Sequence, residues 1–179
     1  MSLCLRFGVA AVLALGVVAP VAAQEAAYPQ RLAAPGGEVI IPSAGQRRAH
    51  DEIGYAPARR VGDVLYVSGL VVFRAEGEGD DVAAFEGQVR RALRQLNQTL
   101  RAAGGSLDDV AMLNTFHVWD GPGFSGTRDE QIAVLSKVWR EFSQGPRPAW
   151  TAVGTSGLLG GEGSIVEIQL IAHSPAPRD

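Results

Sequence analysis

The chain has 179 residues, of which 46% are hydrophobic and 20% charged, and its formal net charge is −3. This length is enough for one domain with a buried core, and the composition is that of an ordinary globular protein. The excess of acidic residues argues against nucleic acid or an anionic membrane as an obligate partner, and the single cysteine, Cys4, excludes an intramolecular disulfide bond.

The first 23 residues have the pattern of a secretory signal peptide. Arg6 precedes an apolar run over residues 7–18, and residues 21–23 are small enough for cleavage before Gln24. We therefore predict a signal peptide over residues 1–23, a periplasmic or secreted mature protein, and no membrane association after cleavage. An uncleaved membrane anchor is the alternative, although the apolar run is shorter than the roughly 20 residues that a membrane span needs.

Residues 24–38 are rich in alanine, proline and glycine and show no periodicity. This composition predicts a flexible leader ahead of one domain over residues 39–175. Apolar, β-branched and aromatic runs then predict the first strands, at residues 39–41, 55–61 and 64–68. Gly62-Asp63 is a turn signal, so the second and third of these strands are expected to form a hairpin.

A long amphipathic helix is predicted over residues 82–103. Its apolar side chains recur at spacings of three and four and share one face: Phe85, Val89, Ala92, Leu93, Leu96 and Leu100. Asp80 or Asp81 is the expected N-cap, and Gly104-Gly105 ends the helix. A strand follows over residues 110–119, with one face formed by Val110, Met112, Asn114, Phe116 and Val118.

Thr127 and Glu130 have the spacing of a capping box and begin a second helix, which ends at Gly145-Pro146. Its apolar face consists of Ile132, Leu135, Trp139 and Phe142. Strands over residues 150–155 and 165–173 complete the chain. This order predicts an α+β fold, a mostly antiparallel sheet with two helices on one face. The other sheet face lacks cover within the chain, so we expect an oligomer.

Four motifs occur in a fixed order along the domain. They are Gly54-Tyr55 ahead of Ser68-Gly69, then Ala102-Ala103-Gly104-Gly105 leading into Leu107-Asp108-Asp109-Val110, then Arg147-Pro148-Ala149, and finally Glu167-Ile168-Gln169-Leu170-Ile171-Ala172. Through them, the chain over residues 41–173 resembles the reactive-intermediate deaminase (RidA) family, also called YjgF/YER057c/UK114. The resemblance implies a chorismate-mutase-like fold and a homotrimer with ligand pockets between subunits. It also implies hydrolysis of enamines and imines such as 2-aminoacrylate to keto acids and ammonia, with no metal or organic cofactor.

The same resemblance predicts the site residues. Glu167 and Ser68 match the catalytic positions, since a carboxyl group can move a proton or position water and a hydroxyl can orient a substrate. Tyr55 and Gly69 match substrate-binding positions, whereas Gln169 replaces a second family glutamate. Each residue also has a purely structural alternative. Tyr55 could be an ordinary aromatic residue of a strand, Ser68 and Gly69 could simply end a strand, and Glu167 could be a solvated residue on the outer side of its strand.

Trp150 stands where the family keeps the arginine that holds the substrate carboxylate. An indole has one N–H donor and no charge, so it cannot replace the two parallel hydrogen bonds of a guanidinium. The loss of such a charged hydrogen bond costs about 1.5–3 kcal/mol. Arg147, three residues upstream, either replaces the missing arginine or is a loop charge beside Pro148, and Trp150 either lines the pocket or packs in a core or interface.

These features predict an exported, trimeric protein that binds a small-molecule ligand between subunits. It would hydrolyse an imine or enamine-like substrate other than 2-aminoacrylate. A non-catalytic binding or scaffold protein is the first alternative. An endoribonuclease is a weaker one, because the negative charge and the export signal argue against it. His50, His117 and His173 have no ligand spacing, so no metal site is expected.

Overall fold

The computed structural model describes residues 27–175, and the predicted signal peptide lies outside them. These residues form seven strands and three α-helices: β1 (Gln30–Ala34), β2 (Gly37–Ile41), α1 (Ala44–Ile53), β3 (Ala58–Val61), β4 (Val64–Phe73), α2 (Val82–Ala102), β5 (Val110–His117), α3 (Arg128–Phe142), β6 (Ala149–Gly154) and β7 (Ser164–His173), with a short 3₁₀ helix at Leu107–Asp109. All strands belong to one sheet in the order β1-β2-β3-β4-β7-β5-β6, and only β5 and β6 are parallel.

Helices α2 and α3 pack on one face of this sheet, as the sequence predicted. Leu93 of α2 and Val138 of α3 share a core cluster with Leu65 and Leu170 from the central strands, and all four are fully or almost fully buried. The Asp81 carboxylate caps α2 by accepting a hydrogen bond from the Ala84 amide at 2.8 Å. The predicted capping box begins α3. Within residues 27–175, no helix combines the length and the apolar composition that a membrane crossing requires.

The opposite surface of the sheet, called the open face below, carries the side chains that alternate with the core positions. Cross-strand pairing places Met112 beside Ile171 and Phe116 beside Glu167 on this face. Tyr66 and Val153 extend it and are 47% and 45% exposed. Aromatic and aliphatic side chains therefore remain exposed in the single chain, on the face that neither α2 nor α3 covers.

Two parts of the fold differ from the sequence prediction. Residues 30–38 are not an irregular leader, because β1 pairs with β2 over five residue pairs and Arg31 forms an ion pair with Glu38. Helix α1 was not predicted. It has no buried residue, so it lacks the apolar stripe from which helices are recognised, and its only signals are the Ser43 N-cap and the left-handed Gly54 at its end.

The predicted shared face of β5 exists, but most of it belongs to the open face. Leu113, Thr115 and His117 are buried toward the helices, whereas Met112 and Phe116 are half-exposed. A register irregularity between Val110 and Met112 separates Val110 from that face and leaves it buried. Apolar content alone therefore does not distinguish the two faces of this strand.

Candidate functional site

Two of the predicted site residues, Gly69 on β4 and Glu167 on β7, are in close contact. A Cβ atom added at Gly69 would lie 1.8 Å from Glu167 Oε1, so the carboxylate rests directly over the glycine backbone. The pairing of β4 with β7 shifts register between Val67 and Leu70, which makes a bulge at this point. Bulges commonly redirect side chains near functional sites. A side chain at position 69 would occupy this space, so the Glu167 carboxylate would have to move.

Ser68 connects this bulge to the segment that follows α1. Its hydroxyl donates a hydrogen bond to the Ala56 carbonyl at 2.7 Å, and its amide donates to the Pro57 carbonyl at 3.1 Å. These bonds fix the backbone next to Tyr55, whose side chain is 40% exposed. The Ser68 hydroxyl proton is therefore already used within the protein, while the oxygen keeps a lone pair free to accept.

Glu167 lies in an open cleft on the open face. The cleft has a volume of ≈ 340 Å³ and is lined by Phe116, Thr155, Leu158, Glu167 and Gln169. The Gln169 side chain accepts a hydrogen bond from the Asn114 amide at 3.2 Å, which holds it beside β5. One carboxylate, one amide and two apolar side chains thus surround a space that can admit a small polar molecule.

Three residues of this cleft were not assigned to the site from the sequence. Phe116 appeared only as a member of a strand face, while Thr155 and Leu158 fall at the end of β6 and in the loop after it. The cross-strand pairing of Phe116 with Glu167 could have assigned Phe116 to the cleft, but this pairing is known only when the strand register is known.

Trp150 lies on the other side of the sheet. It pairs with the buried Leu113, and its indole Nε1–H donates a hydrogen bond to the Thr115 hydroxyl at 2.9 Å. Thr115 faces the helices and is fully buried. Within one chain, the indole therefore points away from the face that carries Glu167.

A polar chain behind Trp150 fixes this orientation. The Gln131 amide donates to the Val118 carbonyl at 3.1 Å, so its oxygen accepts from His117 Nδ1 at 3.0 Å. His117 Nε2 is then the acceptor for the Thr115 hydroxyl at 2.8 Å, and Thr115 accepts from Trp150. Burial lowers the pKa of His117, although the hydrogen bond with Gln131 opposes this effect. This assignment holds when His117 is neutral, and the Thr151 carbonyl, at 3.5 Å, is a second and longer acceptor for the Thr115 hydroxyl.

Arg147 is close to Trp150, in a pocket between α3 and β6 that also includes Trp139 and Arg140. The predicted site residues therefore form two groups in one chain. Ser68, Gly69 and Glu167 meet at the bulge near Tyr55, whereas Trp150 and Arg147 lie on the helix side. Within residues 27–175 there is also no group of three or more His, Cys, Asp or Glu side chains arranged to hold a metal ion; the absence of a metal cofactor stays a prediction.

Comparison with known proteins gives a consistent assignment. The family model described as Endoribonuclease L-PSP matches residues 46–174. RutC family protein YjgH from Escherichia coli (strain K12) is 36% identical over 132 residues, which span 74% of this chain and 92% of that protein. The solved structure of protein YJGH is 35% identical, with a TM-score of 0.54, and the alignment covers 72% of this chain and 89% of that one.

RidA from an Antarctic bacterium, Psychrobacter sp., is a more distant relative. Its crystal structure is 28% identical, with a TM-score of 0.53, and the alignment covers 67% of this chain and 88% of that one. The α+β fold described above is therefore the chorismate-mutase-like fold that the sequence predicted. On the extent of the family match and its identity with YjgH, this chain belongs to the YjgF/YER057c/UK114 (RidA) family.

Proposed function

We propose that this protein is an exported homotrimer that binds a small polar molecule in the cleft around Glu167 and hydrolyses an imine or enamine-like group on it. The observation that carries the proposal is the contact between the Glu167 carboxylate and the side-chain-free Gly69. The missing Cβ at Gly69 leaves room for the carboxylate to lie over the backbone at the bulge. A carboxylate in this position, beside an open cleft, is suited to positioning water or moving a proton.

The other groups have binding roles in this proposal. The Gln169 side chain, whose oxygen accepts from Asn114, can offer its N–H groups on the wall of the cleft. The Thr155 hydroxyl donates its proton to the Gly157 carbonyl at 3.1 Å, so toward a ligand it can only accept. Phe116 and Leu158 contribute apolar contact. Ser68 acts mainly by fixing the backbone beside Tyr55, because its proton is donated to Ala56.

The proposed substrate is not 2-aminoacrylate. That molecule carries a carboxylate, and Trp150 replaces the family arginine that would hold it. The indole N–H is committed to Thr115 at 2.9 Å and carries no charge. A substrate carboxylate buried without a charged partner pays a large desolvation cost. A neutral or differently charged substrate avoids this cost.

Trimer formation is supported by the open face. Tyr66 and Val153 are each at least 45% exposed there, and large exposed apolar surfaces usually find a partner. We expect light scattering at micromolar concentration to give three times the protomer mass. A monomer mass would contradict both the trimer and the location of the cleft between subunits.

Export is supported by Arg6, the apolar run and the small residues before Gln24. We expect the intact mass of periplasmic protein to correspond to a chain that begins near Gln24. Recovery of periplasmic protein that still contains residues 1–23 would contradict this expectation.

A non-catalytic binding protein is the second candidate. The observation that favours it is the commitment of the Ser68 hydroxyl proton to Ala56, together with Gln169 in place of a second carboxyl group. Both candidates predict ligand binding at Glu167, and only the first predicts turnover.

A thermal-shift screen of small polar metabolites tests the binding step. A compound that binds the cleft should stabilise the wild type but not Glu167→Ala. The matched control is Glu76→Ala, which removes an exposed glutamate outside the cleft and should keep the full shift. Incubation of each hit followed by mass spectrometry separates turnover from binding. Hits that stabilise wild type and Glu167→Ala equally would reject the cleft as the site.

A further inference from the structure

Thr115 has two acceptors within reach of its one hydroxyl proton. Its Oγ1 lies 2.8 Å from His117 Nε2 and 3.5 Å from the Thr151 carbonyl oxygen. The proton goes to the shorter contact when His117 is neutral, because Nε2 then has a free lone pair. The contact with Thr151 exceeds the usual O–H···O length of about 2.7–2.8 Å. The hydroxyl therefore has two alternative orientations, of which neutral His117 selects one.

The charge of His117 decides between these orientations. A protonated imidazole carries a donor on each nitrogen and no acceptor. Nδ1–H keeps its bond to Gln131 at 3.0 Å, but Nε2–H would face the Thr115 hydroxyl proton unless that hydroxyl turns. After the turn, Thr115 Oγ1 accepts from both His117 and Trp150 and donates to the Thr151 carbonyl. Each of these donors then has an acceptor in either charge state, so protonation requires a rotation and no loss of the chain of hydrogen bonds.

Strand β6 can respond to this rotation. It lies at the edge of the sheet, next to β5, and all six of its residues are exposed. The new hydrogen bond reaches an ordinary length if the Thr151 carbonyl moves from 3.5 Å to about 2.8 Å from Thr115 Oγ1. An edge strand can make such a shift without displacing the core. Trp150 would respond twice, because it precedes Thr151 in the strand and shares its acceptor with His117.

The surroundings of His117 favour the neutral form at pH 7. The side chain is fully buried and stacks on Trp119 with the ring centroids 4.3 Å apart. Burial lowers the pKa of His117, and the hydrogen bond with Gln131 opposes this effect. On the segments around His117, the charged residues nearest in the chain to its contacts are Asp120 after Trp119, Arg128, Asp129 and Glu130 at the start of α3, and Glu167 on the open face. None of them contributes to the shift, and β6 carries no charge, so protonation of His117 belongs below pH 6.5.

We propose that the Thr115 hydroxyl is a proton-driven switch: acidification turns it from His117 to the Thr151 carbonyl and thereby resets Trp150 and the β6 edge of the sheet. The inference is independent of the proposed function, because it uses none of the residues that line the Glu167 cleft. It holds equally for a binding protein without turnover. Trp150 lines the pocket between α3 and β6, so the acid form presents a different wall there.

The pH titration of the full mature protein by NMR provides the test. The chain has three tryptophans, and the Trp119 indole reports the charge of His117 directly because the two rings stack. In the wild type, the His117 ring nitrogens, the Trp150 indole N–H and the Thr151 carbonyl carbon should all shift with one midpoint below pH 6.5. Thr115→Ser keeps the hydroxyl and should keep this common midpoint. In Thr115→Val, Trp119 should still follow His117, whereas the Trp150 and Thr151 signals should stay unchanged.

A second pair of variants makes the result independent of Thr115→Val. The Trp150 and Thr151 titration should vanish in His117→Gln and persist in His173→Gln, the matched control at an exposed histidine. Four results would overturn the proposal: constant Trp150 and Thr151 signals while His117 titrates in the wild type, their unchanged titration in folded His117→Gln, a His117 that stays neutral down to the pH of acid unfolding, or coupling that survives in folded Thr115→Val.

Discussion

Thr115 is the centre of the polar chain that orients Trp150, and its replacement by valine tests that chain. Valine has nearly the same shape and an equally high strand propensity, so the substitution removes only the hydroxyl. His117 is fully buried and would lose the donor to its Nε2, at 2.8 Å, with no access to water. An unsatisfied buried acceptor costs about 1–3 kcal/mol. The Trp150 N–H would lose less, because this residue is 36% exposed and can turn to water.

We therefore expect Thr115→Val to lower the free energy of unfolding by about 2 kcal/mol, equivalent to roughly 4–8 °C in Tm for a domain of this size. Thermal and urea unfolding at one fixed protomer concentration measure it, since association changes apparent stability. Thr151→Val is the matched control, because it makes the same change at an exposed position of the neighbouring strand and should cost little. A Thr115→Val protein as stable as the wild type would refute the chain of hydrogen bonds as described.

Two further predictions concern His117 and Gly69. Burial places the pKa of His117 in the folded protein below the ordinary value of 6.5. The free energy of unfolding that neutral His117 contributes is therefore complete above pH 6.5 and is lost as the pH falls below that value. The loss is at most about 1.4 kcal/mol per pH unit. Urea unfolding at pH 7.5 and 5.5 should show this loss in wild type and in His173→Gln but not in His117→Gln; equal wild-type stability at the two pH values would be evidence against it. Gly69→Ala should displace the Glu167 carboxylate by more than about 1 Å, since the new Cβ would lie 1.8 Å from Oε1, and a misplacement of this size can reduce activity about 100-fold. The Gly69→Ala variant should stay folded, because the flexible end of the Glu167 side chain can move, but it should lose the thermal shift that cleft ligands give the wild type. Gly157→Ala is the control, since it adds a Cβ in open space and should keep the full thermal shift. An unchanged shift in Gly69→Ala would show that the contact with Glu167 is unimportant.

Much of the fold was predictable because its signals are local. The apolar spacing of α2 and the Thr127–Glu130 capping box of α3 depend on residues within a few positions of each other, and both helices are where these patterns place them. Helix α1 and strand β1 have weaker signals. The first has no buried face, and the second is recognised by its pairing with β2 rather than by its own composition.

The candidate site was less predictable because it depends on strand register. The order of the motifs identified Ser68, Gly69 and Glu167 as candidate site residues. The contact between Gly69 and Glu167, however, arises from a β-bulge for which the sequence has no recognisable pattern. The sequence drew attention to Trp150 as a site residue, which stays a prediction, whereas the sheet face on which it lies follows from its pairing with Leu113. The buried Thr115 and His117 behind it gave no functional signal, since a strand residue is oriented only when its register is known.

The central claim is that Trp150 has removed the carboxylate grip on which deamination of 2-aminoacrylate depends. The most direct measurement generates 2-aminoacrylate with a dehydratase and follows keto-acid formation with and without the purified mature protein. A known family deaminase, run in parallel, serves as the positive control. Our account predicts no acceleration above the uncatalysed rate. Acceleration comparable to that of the control would contradict it, and loss of that activity in Arg147→Gln would then identify Arg147 as the group that holds the carboxylate.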